Sequence, residues 1–269
     1  MAPTMRLARG AVPLACAPVR RVPVVAIGLA LLLVGCSGGG SDRPSLARHA
    51  TPAPTRCTAP LFASPVNCVA RPVGQALRVF STPTAADPSW TFPNPWLLNN
   101  DPKLQVPQVL LVAARSGSSV KVLLPIRPNG TTGWVRTQDV VLSENPYRIA
   151  VQLGAHRLTV YNGARAIVTD TVAVGEPSTP TPTGIYYLRV LLKAPDPTTV
   201  YGPYAYGLSG HSEALTTFDG GDAELGIHGN NDPSVLGKDI SHGCIRMSND
   251  KITYLASVLP LGTPVQISA

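Results

Sequence analysis

Ile227-His228-Gly229 and Ser241-His242-Gly243-Cys244-Ile245-Arg246, with twelve residues between His228 and Ser241, decide how this chain is read. A thiol attacks a carbonyl as its thiolate, so at neutral pH Cys244 needs a base. The imidazole of His228 is suited to that task. Gly229 and Gly243 flank the two groups and let a substrate approach the backbone. Backbone N–H groups around Cys244 are candidate oxyanion donors, with His242 and Ser241 shaping that site. Arg246 offers a guanidinium fork for a substrate carboxylate. Rival readings stand beside these. Cys244 could be a buried structural thiol, although Gly243 and the polar Ser241-His242 before it suit a core strand poorly. His211, His228, His242 and Cys244 could bind zinc, although their spacing follows no zinc pattern. Arg246 could simply pair with Asp239 or Asp250.

Around these motifs the chain reads as β-structure. Arg148–Leu153, His156–Tyr161, Ala166–Val174 and Ile185–Leu192 alternate or run apolar as strands, and Asn162-Gly163 marks a tight turn. Pro177, Pro180 and Pro182 exclude strand pairing in their stretch. One helix is expected over Asn249–Leu259, capped by Ser248, Asn249 or Asp250 and ended by Pro260 and Gly262. Thr263–Ser268 gives a last strand. His211 reads as a loop residue near the site. Tyr201, Tyr204 and Tyr206 line the cleft or pack a loop. His49 and His156 have no partners in view.

The double motif resembles the signature of the L,D-transpeptidase (YkuD-like) family, and Thr181-Pro182-Thr183-Gly184 resembles the turn before one of the family's strands. The resemblance covers about residues 147–268. It implies an all-β, YkuD-like β-sandwich with one short helix. It also implies that Cys244 attacks the third residue of a peptidoglycan stem tetrapeptide, releases D-Ala and forms a thioester. An amine of a neighbouring stem then resolves the thioester into a 3→3 cross-link. Where some relatives have Ser after the base, this chain has Gly229, so the group that orients His228 must be a backbone carbonyl or another residue. Two neighbouring reactions share the thioester: hydrolysis by an L,D-carboxypeptidase and attachment of a lipoprotein. A non-catalytic wall-binding lipoprotein is the reading from another class. No cofactor and no metal are expected, and a monomer is.

The earlier part of the chain is read from composition. Gly (24) and Pro (28) are abundant and charged residues are only 14%, which favours short strands and turns over long helices. A small β-rich domain is expected over 57–143, ahead of the catalytic domain at 147–269. It has strands at Leu77–Phe80, Val109–Ala114, Val120–Ile126 and Gly133–Val135 and a hairpin turn at Asn129-Gly130. Its segment Asn129–Arg136, followed by Asp139-Val140, resembles the closing hairpin of bacterial SH3-like domains. Residues 37–56 are rich in Pro, Gly and Ser and read as a linker. Val22–Gly35 is too short for a membrane span, which needs about 20 residues. With Arg6, Arg9, Arg20 and Arg21 ahead of it, the run suits a signal peptide over 1–36. Leu33-Val34-Gly35-Cys36 resembles a lipobox, which implies lipid on Cys36 and a place on the outer face of the cytoplasmic membrane.

The cysteines fit an exported chain. Cys57 and Cys68 lie eleven apart in a loop-rich stretch and suit a disulfide, which leaves Cys244 as an odd thiol. The formal charge of +7 shrinks once the four early arginines are set aside, because 18 Lys and Arg then face 15 acids. The remainder has no basic cluster interleaved with aromatics, so no nucleic-acid partner is expected. The partners implied are stem peptides and, through the lipid, a membrane. Cys36→Ala should release the protein into the soluble fraction or block its processing, as fractionation and intact mass would show. Normal cleavage with unchanged membrane retention would exclude the lipid.

Overall fold

A computed structural model describes Cys57 and residues 65–218 and 220–269. The basic start, the apolar run, Cys36 and the whole linker over 37–56 lie outside the described residues. The first half forms an antiparallel five-stranded sheet from β1 (Asn67–Pro72), β2 (Leu110–Ser116), β3 (Ser119–Leu123), β4 (Thr132–Arg136) and β5 (Val140–Asn145), in the order β4-β3-β2-β1-β5. Two short antiparallel pairs, Ala76–Val79 with Trp90–Pro93 and Trp96–Leu97 with Gln105–Val106, extend from it. Cys57 and Cys68 are joined by a disulfide, and both are buried in a cluster with Leu77, Val120 and Val135.

The second half is built on eight strands: β6 (Tyr147–Gln152), β7 (Arg157–Asn162), β8 (Arg165–Thr171), β9 (Gly184–Lys193), β10 (Tyr204–His211), β11 (Glu224–His228), β12 (Ile245–Arg246) and β13 (Pro264–Ser268). Their order is β8-β7-β6-β13-β9-β10-β11-β12, with β6–β13 and β11–β12 parallel. The long strand β9 serves both layers. Its first residues pair with β13, and its last pair with β10 beyond a bulge between Leu188 and Val190. A bulge bends a strand and sharpens its twist, so one strand can leave one layer and enter the next. The enclosed core takes Ile149, Val151, Leu158 and Val160 from one layer and Leu208, Leu225 and Ile227 from the other. The one α-helix among the described residues, α1 (Asn249–Val258), contributes Ile252 and Leu255, three apart on one face. The second half is thus the all-β sandwich with one short helix that the resemblance implies.

Several sequence expectations shift in detail. Ser248 does not cap α1 through its side chain. Its hydroxyl and its N–H both go to Asp170 Oδ2, at 2.8 and 2.9 Å, which ties the helix start to β8. His156 has a partner, Asp239 Oδ1, at 2.8 Å. The strand expected over Val120–Ile126 ends at Leu123, since Pro125 has no N–H to donate. The Asn129-Gly130 turn closes a longer loop, with Leu124 N–H bonded to the Thr131 carbonyl.

That loop joins the two halves. Asn129 accepts from the His211 N–H at 2.9 Å and donates to the His211 carbonyl at 2.8 Å. Arg127 donates to the carbonyls of Ser212, Leu215 and Asp222 at 2.5, 3.0 and 3.0 Å. Val69, Val109, Leu111 and Leu123 pack with Tyr187 of β9 in a buried cluster between the sheets. Replacing Cys57 and Cys68 together by Ala should lower stability by ~2–3 kcal/mol, the chain-entropy value for so short a loop. Denaturant midpoints of the two proteins measure it, and equal midpoints would rule the contribution out.

Candidate active site

Strand β11 alternates, sending Leu225 and Ile227 into the core and Glu224, Gly226 and His228 to the opposite face. The two residues of β12 pair parallel to it, Ile227 with Ile245 and His228 with Arg246. This register sets Cys244 over Gly226. A methyl group built on Gly226 would lie 3.7 Å from Cys244 Sγ and 3.9 Å from His228 Cδ2. The lack of a side chain there opens the space in which sulfur and imidazole meet.

The loop carrying the thiol is held from behind. Gly243 has φ 112°, in the region that favours glycine. Ser241, buried, donates to the Cys244 carbonyl at 2.6 Å and accepts from the Gly243 N–H at 3.1 Å. At rest that N–H is therefore occupied. Thr179 donates to the Ser241 carbonyl at 3.1 Å and Thr181 to the Gly243 carbonyl at 2.9 Å. The proline-rich turn that interrupts strand pairing thus supports the nucleophile loop. His242 is exposed, and its ring lies 5.3 Å from that of Phe218.

His228 is buried and oriented by Gly229, whose carbonyl is 2.7 Å from Nδ1. With that proton donated to the carbonyl, Nε2 carries the lone pair. The His228 carbonyl accepts from the Met247 N–H at 2.9 Å, and the Gly229 N–H donates to the Tyr204 carbonyl at 3.2 Å. Asn249, the first residue of α1, accepts from the Asn230 N–H at 2.9 Å. The base is thereby fixed from three sides. Tyr201 covers it, with ring centroids 5.0 Å apart. Tyr206 is instead a core residue whose hydroxyl donates to the Leu255 and Leu259 carbonyls.

Electrostatics keep the pair neutral. Desolvation pushes the His228 pKa down to about 4; the Gly229 and Val200 carbonyls oppose the shift and the Arg246 charge adds to it. Burial pushes the Cys244 thiol up, against the pull of a Gly226 backbone hydrogen bond and of Arg246. Arg246 lines the same pocket as both groups. Its Nε is buried without a partner, and among the described residues no carboxylate lies within ion-pair distance of it. The proposed pairing with Asp239 or Asp250 is not formed; Asp239 pairs with His156, and Asp250 lies 4.0 Å from Lys251.

His211 is not in a loop. It ends β10, buried, with Nε2 3.1 Å from Asp222 Oδ2. Among the described residues no three His, Cys, Asp or Glu side chains gather to hold a metal ion. Thr179 and Glu224 escaped the sequence reading. Glu224 was accessible in principle, because it lies four before His228 on a strand of period two. Nothing in the sequence marks Thr179.

The model of the L,D-transpeptidase catalytic domain, YkuD, matches residues 146–267. Bacillus subtilis YkuD, which carries the name of an L,D-transpeptidase, is 35% identical over 163 residues, covering 58% of this chain and 91% of that protein. Its Bacillus licheniformis namesake is 37% identical over 134 residues, covering 50% and 70%. The chain belongs to the L,D-transpeptidase family. Among solved structures, an L,D-transpeptidase of Mycobacterium tuberculosis H37Rv superposes with a TM-score of 0.39 at 16% identity, covering 60% of this chain and 90% of that one.

The neutral pair has a measurable signature. The rate of Cys244 acylation should hold as pH falls through 6.5 and halve only near 4, where the folded His228 takes its proton. Between those values the unfolded chain binds a proton that the folded one refuses, so stability falls with pH in that window and rates must be referred to folded protein. An acid limb near 6.5, or thiolate absorbance in the resting enzyme at neutral pH, would contradict a neutral pair.

Proposed function

We propose that this chain is a cysteine L,D-transpeptidase that forms 3→3 cross-links in peptidoglycan through a thioester on Cys244. The reading rests on one pocket that holds a thiol, a neutral imidazole oriented by a carbonyl, and an arginine whose buried Nε has no partner among the described residues. Cys244 Sγ attacks the carbonyl of the third stem residue while its proton passes to His228 Nε2. The imidazolium so formed finds the Gly229 and Val200 carbonyls beside it. The proton then leaves with the amine of the terminal D-Ala as the C–N bond breaks. An amine of a second stem attacks the thioester, and His228 takes the proton that the amine loses and gives it to the departing sulfur as the C–S bond breaks. Arg246 holds a substrate carboxylate through its fork.

The cell-envelope setting belongs to the same proposal. Lipid on Cys36 would anchor the chain at the outer face of the cytoplasmic membrane, and residues 37–56 would give it reach into the wall, up to ~70 Å when fully extended. The sheet of the first half is read as an SH3-like module.

Defined tetrapeptide muropeptides, the soluble domain and product masses test the reaction. Dimers with loss of one D-Ala per cross-link are expected, and loss of D-Ala without dimers would make the enzyme a carboxypeptidase. Cys244→Ser should abolish turnover with the fold retained, and His228→Ala should slow acylation by ~10²–10⁴. A carbapenem should leave one adduct, on the Cys244 peptide. Wild-type activity in Cys244→Ser would overturn the assignment.

A further inference from the structure

Two side chains flank Gly226 on the open face of β11: His228 on one side and Glu224 on the other, each roughly 7 Å away along the strand. Cys244 Sγ occupies the gap above Gly226, so the nucleophile has the imidazole on one hand and a carboxylate on the other. The proposed acylation uses only the imidazole.

Gly226 pairs with Gly207 of β10, and Gly207 with Val190 of β9. A Cβ on Gly207 would fall 2.7 Å from Val190 Cγ1, so the Val190 side chain leans over that glycine. With Glu224 these residues line a trough that leads from the sulfur across the sheet, within a cleft of about 650 Å³. The far wall comes from the first half of the chain, where Trp96 and Leu98 pack on Val190. Trp96 also stacks on the Arg189 guanidinium, whose carbon lies 3.6 Å from the ring centroid, and Arg189 Nη1 donates to Glu224 Oε1. Arg189 thus fixes the carboxylate. The Glu224 side chain remains 26% exposed, and Oε2 lies 3.9 Å from the position a Gly207 Cβ would take. One oxygen is therefore anchored and the other overlooks the trough. Of the other charges nearby, Asp222 at the mouth is shared by Arg127 and His211.

We propose that the trough floored by Gly226 and Gly207 is the acceptor subsite, and that Glu224 binds the incoming amine there as its ammonium. The fitting ligand ends in a primary ammonium, because Glu224 Oε1 takes the Arg189 bond and Oε2 has room for a further donor. This inference rests on the reading above, in which an amine resolves the thioester. The ammonium gives one proton to Glu224, which passes it to solvent. The freed amine forms the C–N bond as the C–S bond breaks, and its second proton travels through His228 to the sulfur. Burial holds the Glu224 carboxyl above its ordinary range against the pull of Arg189, with Asp222 adding to the rise, which suits a group that takes up a proton.

The test follows the fate of pre-formed acyl-enzyme, so that acylation does not enter. Acyl-enzyme made from the tetrapeptide donor is isolated and mixed with an amine-bearing stem, and the ratio of dimer to hydrolysed product is read by mass. Glu224→Gln, which keeps the shape and the Arg189 contact, should lower that ratio by tenfold or more and raise the acceptor concentration needed for half-maximal dimer. In the wild-type protein, a stem whose side-chain amine is dimethylated, and so keeps its charge and one N–H, should compete with the acceptor, whereas its neutral acetylated counterpart should not. An unchanged ratio in Glu224→Gln, or equal inhibition by the two analogues, would overturn the subsite. Failure of the wild-type chain to form any acyl-enzyme would instead remove the cross-linking reading beneath it.

Discussion

The site hangs on the parallel pairing of β12, two residues long, with β11. Parallel neighbours cannot be joined by a tight turn; the chain must leave the sheet and return, which takes a dozen or more residues. The excursion runs from 229 to 244, and the twelve residues between His228 and Ser241 make up most of it. Its register is fixed by Ile227 and Ile245, each buried in the core, because a slip by one residue would turn both outward. With the register fixed, the sulfur has one place to be, over Gly226. The spacing that reads as a motif in the sequence is thus a loop-closure requirement in the fold.

Burial sets the chemistry as much as proximity does. A thiolate–imidazolium pair would place two charges in a pocket that desolvates both, and Arg246 beside them favours the anion while opposing the cation. The neutral pair avoids that cost and fits a base that takes its proton as the carbonyl is attacked. Two carbonyls near the ring, Gly229 and Val200, moderate the depression of its pKa, so the protonated state is unfavourable at rest yet reachable during the reaction. The backbone carbonyl of Gly229 orients the His228 ring.

What was legible in the sequence follows from how local each signal is. His228, Cys244, their spacing and the helix at 249–258 are set by near neighbours in the chain, and alternation exposes the strands around them. The function of Thr179 and Thr181 was not legible, because their hydrogen bonds reach 62 residues ahead to the Ser241 and Gly243 carbonyls. Tyr201 and Tyr206 look alike in sequence, yet one covers the base and the other fills the core, a difference fixed by the path of β10. Ser248 illustrates a local rule overridden by tertiary contact, since Asp170 takes the hydroxyl that would have capped the helix.

The two halves of the chain are more tightly joined than the linear reading suggests. Asn129 engages both backbone groups of His211, much as a neighbouring strand would, and Arg127 satisfies three carbonyls of the segment that follows. Those carbonyls have no strand beside them to receive donors, so the first half supplies what a longer β10–β11 hairpin would otherwise need. The same segment carries Phe218, which meets His242 next to the nucleophile. The matched family region, residues 146–267, therefore contains Cys244 and His228 but only part of the walls around them. Trp96 and Arg127 lie outside it, and through them the fold of the first half sets the shape of the cleft in which Cys244 works.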